Sequence, residues 1–222
     1  MERTIFLFLY ELTNLVLYLT LFMAIKLIIE KKISKNFSYL FVYLIVTTLL
    51  VVYSDLIFFK CISSIIFLKK IKLFFPSFHF IILGLFVCKW FKNRIYKNHG
   101  NIIIYFFTFL LFVGFLLDLK KYSYYSVAIS NLGLIILCSF YYYSHVITKV
   151  EALNYNSFSF ISISGIFISS GASLPVYLFT NIIDKSLSEE LFFSISIIAP
   201  LSSLILYLFF FKSFLCLKHQ KI

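Results

Sequence analysis

The chain has 222 residues, of which 62% are hydrophobic and only 13% are charged. Ordinary soluble domains carry about 25% charged residues, so a soluble globule is not expected and the apolar excess must face lipid. The formal net charge is +11, but the basic residues form short clusters between long apolar stretches, a pattern that does not suit nucleic-acid binding. The sequence therefore predicts an all-α, polytopic integral membrane protein that contacts the lipid bilayer and no nucleic acid.

Apolar stretches close to the ~20 residues that a bilayer requires recur seven times along the chain. Pro76 falls in the first turn of the third stretch, where a missing N–H is tolerated. Pro175 and Pro200 fall inside the sixth and seventh, where kinks are expected. The predicted spans, within one domain covering 1–222, are 5–29, 39–59, 73–90, 102–117, 125–146, 158–182 and 191–211.

The distribution of charge predicts an external N-terminus and an internal C-terminus. On that arrangement most acidic residues lie outside, and the inner side is far more positive. A segment at 62–68 is also apolar, and if it re-enters the membrane the local topology changes. About twelve of the twenty basic residues lie on the inner side: Lys26, Lys31, Lys32, Lys35, Lys89, Lys92, Arg94, Lys97, Lys149, Lys212, Lys218 and Lys221.

No catalytic or cofactor motif is recognisable in the sequence. It has no H-E-x-x-H zinc motif, no Walker loop and no G-x-S-x-G nucleophile elbow, and Leu201 stands where a retinal-binding protein needs a lysine. The cysteines have no metal-binding spacing and are interpreted as isolated small apolar residues. These are Cys61, Cys88, Cys138 and Cys216. We therefore expect no catalytic residue, no metal and no cofactor.

Three ionisable residues inside predicted spans are the candidate ligand- or proton-binding groups: Glu11, Asp55 and His79. A charged side chain at a helix centre costs about 2.5 to 3.5 kcal/mol on insertion scales, so each needs an explanation. All three lie roughly 6 to 9 Å below the outer boundary at 1.5 Å per residue, and Asn131 lies at a similar depth. We predict that they approach one another in one polar layer. The alternative is that each side chain extends to the nearby interface, or that the groups form hydrogen bonds with one another that only stabilise the structure.

A stripe of small residues marks the sixth predicted helix. Ser162, Gly165, Ser169 and Ser173 recur at helical spacing and predict close packing against another helix. The alternative is a polar conduit lined by serines of the same helix, although membrane serines commonly bond back to their own i−4 carbonyls.

The overall pattern resembles the small seven-helix membrane proteins of Bacteroidota, which are similar to the membrane sensor portion of some histidine kinases without the kinase. The chain departs from them at Ile161, where tryptophan is frequent, and at Ser169, where tyrosine is usual. The resemblance implies a sensing role and a multi-pass protein of the bacterial inner membrane. It is carried by Phe78-His79-Phe80, by Tyr141-Tyr142-Tyr143, and by Gly165, Gly171 and Phe179 within Phe160–Asn181.

Three functions remain open on the sequence. The first is a non-enzymatic sensor or receptor-like module that signals through a separate partner protein on the cytoplasmic side. The second is a small transporter or channel with a polar site in its outer half, although no internal repeat is evident. A membrane-embedded enzyme is the third. The ligand and the oligomeric state are not determined by the sequence.

Overall fold

Seven helices make up the part of the chain that the computed structural model describes, namely residues 2–30, 37–58, 65–117, 122–148, 157–186 and 197–219. Six of them are long and apolar enough to cross a membrane, and the third contributes the shorter apolar stretch Phe74–Lys89. The predicted all-helical, polytopic fold class is confirmed. In chain order the helices are α1 (Glu2–Ile29), α2 (Ser38–Phe58), α3 (Ile65–Lys89), α4 (Arg94–Leu117), α5 (Tyr122–Thr148), α6 (Phe158–Ser186) and α7 (Ile198–His219).

Two helices begin at polar caps placed just before their apolar stretches. The Oδ1 atom of Asn93 accepts a hydrogen bond of 2.8 Å from the backbone N–H of Ile95, at the start of α4. The Oγ atom of Ser157 accepts one of 3.2 Å from the N–H of Phe160, at the start of α6. Each cap satisfies an N–H that has no partner within its own helix.

The helix bounds differ from the prediction most clearly in α3 and α7. Helix α3 begins at Ile65, so Pro76 lies inside it rather than in its first turn; residues 65–68 of the apolar segment at 62–68 belong to this helix, and 62–64 lie outside the described residues. Helix α7 extends to His219, and 191–196 lie outside the described residues. Its third residue is Pro200, a first-turn position that needs no intrahelical N–H.

Neighbouring helices in the chain run in opposite directions. In α5 and α6, Asn131 contacts Ser173 while Tyr142 contacts Ser164, so one residue number rises as the other falls. The same alternation relates Tyr10 of α1 to Asp55 of α2. An odd number of alternating helices places α1 and α7 parallel. We call the end at which α1 begins the N-terminal end of the bundle, and the end at which α7 finishes the C-terminal end.

Six of the helices form a closed ring, in the order α1, α2, α3, α5, α6 and α7, with α7 packed back against α1. The ring closes at two threonines of α1 spaced seven residues apart. Thr13 Oγ1 lies 3.2 Å from the carbonyl oxygen of Pro200, and Thr20 Oγ1 lies 3.3 Å from that of Tyr207. The remaining helix, α4, packs outside the ring against α3 and α5.

Large apolar side chains cover the outer surface of the bundle. Helix α4 shows this most clearly, since Tyr105 is 73% exposed and Phe109 is 62% exposed, and Phe22 of α1 and Leu49 of α2 are similarly exposed. Contiguous apolar surface of this kind is unfavourable in water and is the surface that lipid covers. The chain is therefore a multi-pass membrane protein.

The C-terminal half of the ring interior is filled by aromatic rings. Phe158 is central to this aromatic cluster, with its ring centroid 4.4 Å from that of Phe37 and 5.4 Å from that of Phe214. Phe86 and Trp90 complete the cluster, 6.1 and 6.2 Å from Phe158. These aromatic side chains come from α3, α6 and α7, from the residue that follows α3 and from the residue that precedes α2, so they connect opposite sides of the helix ring.

Helices α6 and α7 approach each other closely at Gly165. A Cβ atom added at Gly165 would lie 2.5 Å from the Cβ atom of Phe209 in α7. Because the Phe209 Cβ atom is fixed to the backbone, rotation of its ring cannot relieve this contact. Ser162, one turn away on the same helix, is fully buried. The small residue at 165 thus sets the distance between α6 and α7.

We expect Gly165→Ala to lower the free energy of unfolding by about 1 to 3 kcal/mol, the usual cost of overpacking. Gly171→Ala in the same helix is the matched control, because nothing lies within 4 Å of a Cβ atom at that position and alanine favours a helix over glycine. Thermal denaturation of the purified proteins in detergent measures both. Equal stability of the two variants would contradict the close approach of α6 and α7.

Candidate functional site

The candidate site is a partly open cavity of about 170 Å³ inside the ring. Its walls come from α2, α3, α5, α6 and α7, and they include His79 and Asn131, two of the four residues proposed from the sequence. Ser169 and Ser173 of the small-residue stripe also line it. The stripe on α6 therefore serves two surfaces, since Gly165 packs against α7 while these two serines face the cavity.

The cavity occupies the half of the bundle nearer the N-terminal end. Along α7 its lining runs from Ala199 in the first turn to Tyr207, a rise of about 12 Å at 1.5 Å per residue. Tyr43 lies at the end of the lining that is farthest from the N-terminal end of the bundle, and its ring centroid is 6.3 Å from that of Phe210. Phe210 is fully buried. Aromatic side chains therefore lie between the floor of the cavity and the C-terminal end.

A chain of hydrogen bonds forms the floor of the cavity. The Nδ1 atom of His79 lies 3.1 Å from the hydroxyl oxygen of Tyr43, and Tyr207 forms side-chain hydrogen bonds with both Tyr43 and Thr47. Thr47 donates its own hydroxyl hydrogen to the backbone carbonyl of Tyr43, at 2.8 Å. Four side chains from three helices are linked in this way.

The direction of these bonds depends on which nitrogen of His79 carries the hydrogen. With Nδ1 protonated and Thr47 bonded to the carbonyl of Tyr43, Tyr207 donates to Thr47 and Tyr43 donates to Tyr207. The hydroxyl oxygen of Tyr43 is left to accept from the Nδ1–H of His79. In a neutral imidazole the second nitrogen, Nε2, then carries no hydrogen and is an acceptor.

The opposite wall holds a second buried polar pair. The Nδ2 atom of Asn131 donates to Ser173 Oγ at 2.9 Å, and Ser173 Oγ donates to the carbonyl oxygen of Ser169 at 2.9 Å. Both side chains are almost fully buried. Next to Asn131, Ser130 Oγ donates across to the carbonyl oxygen of Pro76 in α3, at 3.1 Å. Helix α5 is thereby tied to α3 and α6 around the cavity.

Glu11 and Asp55 do not line the cavity. Asp55 Oδ1 accepts a long hydrogen bond of 3.4 Å from the hydroxyl of Tyr10, and the side chain of Glu11 is exposed. Both carboxylates act electrostatically on Tyr10. The structure thus divides the predicted polar layer into a His79 and Asn131 group around the cavity and a separate acidic group between α1 and α2.

The three described thiols lie apart from the cavity. Cys88 and Cys138 are free and buried, Cys216 is free and partly buried, and Cys61 lies outside the described residues. Within the described ranges, no group of three His, Cys, Asp or Glu side chains is placed to hold a metal ion.

The sequence analysis did not identify the two tyrosines of the cavity floor. Tyr43 and Tyr207 lie inside apolar stretches, where their hydroxyls need partners, but aromatic residues are so abundant in this chain that neither stood out. A usable signal was present in the spacing. Tyr43 and Thr47 are four residues apart on one face of α2, and this pairing of two hydroxyls inside a span favours a buried hydrogen-bond network.

We expect Tyr43→Phe to lower the free energy of unfolding by about 1 to 2 kcal/mol, because it removes the bonds to His79 and Tyr207 and leaves polar atoms unpaired. Tyr105→Phe is the matched control, since Tyr105 is 73% exposed on the lipid-facing side of α4, and its effect should stay within about 0.5 kcal/mol. Unfolding in mixed micelles measures both. Indistinguishable stabilities would argue against the hydrogen-bond chain.

Comparison with known proteins gave no relative: no protein-family model, no curated protein and no solved structure matches the chain. A functional proposal for the cavity therefore depends on its own geometry and chemistry.

Proposed function

We propose that the protein is a non-enzymatic, receptor-like sensor in which a small molecule enters from the N-terminal end and binds in the cavity beside His79 and Asn131. One observation carries the proposal: a partly open cavity of about 170 Å³, lined by both polar and aromatic side chains, lies within the ring. Drug-sized ligands occupy pockets of about 300 to 1,000 Å³, whereas a cavity of about 150 Å³ accepts benzene. The volume therefore suits a ligand of roughly benzene size.

The aromatic packing in the C-terminal half of the interior favours a receptor over a channel. A channel needs a continuous polar path, and a transporter needs a second opening, whereas the aromatic cluster around Phe158 fills the C-terminal half of the interior. Tyr43 lies between the two regions, since it bonds to His79 and its ring packs near Phe210, one turn before Phe214 of the aromatic cluster. A change at the cavity floor can thus reach the C-terminal end through packed rings.

The signal would pass to a separate cytoplasmic protein at the C-terminal end of the bundle. Exposed basic side chains lie at the connection between α3 and α4, where Lys92, Arg94 and Lys97 fall within six residues. Such a concentration of positive charge supports an internal C-terminal end, hence an external N-terminus, in a bacterial inner membrane. It also offers a surface on which an acidic partner protein can dock.

Filling the cavity should abolish ligand binding. We expect at least one member of a panel of phenol, imidazole, acetamide and glycerol to raise the melting temperature of the wild-type protein in detergent, because a ligand that binds only the folded state stabilises it. Ser203→Phe places a ring in the cavity lining and should remove that shift. Leu208→Phe adds the same ring on the exposed side of α7 and should retain it.

Two outcomes of this experiment would contradict the proposal. One is that no compound in the panel stabilises the wild-type protein. The other is that a compound stabilises the Ser203→Phe and Leu208→Phe variants equally, because binding would then take place outside the cavity.

The orientation is tested separately by cysteine labelling in intact cells, in a background with Cys61 and Cys216 changed to serine. We expect Thr4→Cys, at the start of α1, to react with an impermeant maleimide added outside. Asn98→Cys, in the first turns of α4, should react only after permeabilisation. Both native side chains are exposed. The reverse labelling pattern would place the N-terminus inside.

A further inference from the structure

Most serine hydroxyl groups of the described lining donate their hydrogen to a backbone carbonyl. Four of the five lining serines donate to backbone carbonyls: Ser130 to Pro76, Ser173 to Ser169, and both Ser202 and Ser203 to Ala199. A serine hydroxyl has one hydrogen and two lone pairs. Once the hydrogen is committed to a carbonyl, the oxygen can offer a ligand only acceptor capacity.

His79 and Asn131 also present acceptors in the lining. In the tautomer that donates Nδ1–H to Tyr43, His79 Nε2 is an acceptor. Asn131 uses one hydrogen of Nδ2 on Ser173, which leaves its carbonyl oxygen Oδ1 as an acceptor and its second N–H as a donor. Ser169 is the one lining serine without such a bond in the described part of the chain. Among the described side chains of the lining, acceptors therefore outnumber available donors.

The described lining also supplies no counter-charge for a charged ligand. No Asp, Glu, Lys or Arg is among the described residues that line the cavity. Taking a cation out of water without a counter-charge is costly, even where neutral acceptors surround it. Rings of Tyr43, Phe75 and Tyr207 supply apolar walls beside the acceptors, and they suit a compact neutral molecule with a small apolar part.

We infer that the ligand is a small uncharged molecule that carries two or more N–H or O–H donors, in the class of primary amides, ureas and diols. The inference rests on the proposed function, since it specifies what the cavity binds. Its hydrogens would be received by the oxygens of Ser202 and Ser203, by Asn131 Oδ1 and by His79 Nε2. A molecule of the same shape without donors would leave these acceptors unpaired and would bind more weakly.

Isosteric pairs of probes test the inference in the wild-type protein. Acetamide and acetone have nearly the same shape, but only acetamide carries N–H donors; catechol and 1,2-difluorobenzene form a second such pair. Apparent dissociation constants come from the dependence of melting temperature on probe concentration. We expect the donor-bearing member of each pair to bind at least about tenfold more tightly, and ammonium chloride, the cationic probe, to bind more weakly than acetamide.

Removal of acceptors should weaken only the donor-bearing probes. Ser202→Ala combined with Ser203→Ala should reduce acetamide affinity by about two- to tenfold per serine and leave acetone unchanged. Ser213→Ala is the matched control, because Ser213 makes the same type of bond, 2.7 Å to the carbonyl oxygen of Phe210 in the same helix, but does not line the cavity. It should leave both affinities unchanged.

The outcomes separate this inference from the proposed function. Equal binding of both members of each pair, or tighter binding of ammonium than of acetamide, would overturn the inference. If Ser203→Phe abolishes binding of those probes, the proposed function nevertheless stands. If no probe stabilises the wild-type protein, both are overturned.

Discussion

The contact between the first and last helices determines whether the bundle has an interior at all. Helices α1 and α7 run parallel and close the ring, and Thr13 and Thr20 lie against carbonyl oxygens of α7 at matching positions. In lipid there is no hydrophobic driving force between helices, so a seam of this kind depends on close packing and on hydrogen bonds. If the seam opened, the serines and the histidine around the cavity would face hydrocarbon, where unpaired polar groups are costly.

The interior of the helix ring has two halves, one packed with aromatic side chains and one lined by hydrogen-bonded polar side chains. In the aromatic half, aromatic side chains of α3, α6 and α7 pack against one another across the interior of the bundle. This packing fixes the positions of those helices relative to one another. The polar half tolerates a cavity because its hydroxyls are satisfied by nearby carbonyls, so that loss of solvent costs little there. A membrane protein can thus keep a cavity with polar walls without depending on charged pairs.

The sequence predicted the helices better than the site, because the two depend on different information. A span is a local property: a long apolar stretch in lipid must be helical to satisfy its own backbone, and the stripe around Gly165 is a local pattern as well. The convergence of Glu11, Asp55 and His79 was inferred from depth alone. Depth does not fix the rotation of each helix about its axis, which is set by packing across the whole ring; that rotation turns His79 toward Tyr43 and leaves Asp55 beside Tyr10.

Trp90 is the single tryptophan of the chain, and it belongs to the aromatic cluster. Its indole N–H is buried and has no hydrogen-bond partner in the described part of the chain. Indole emission depends on the polarity around the ring, so the fluorescence of the whole protein reports on one location, at the end of the bundle remote from the cavity. Any rearrangement that lets water or a polar group reach this N–H therefore has an optical signature that needs no added label.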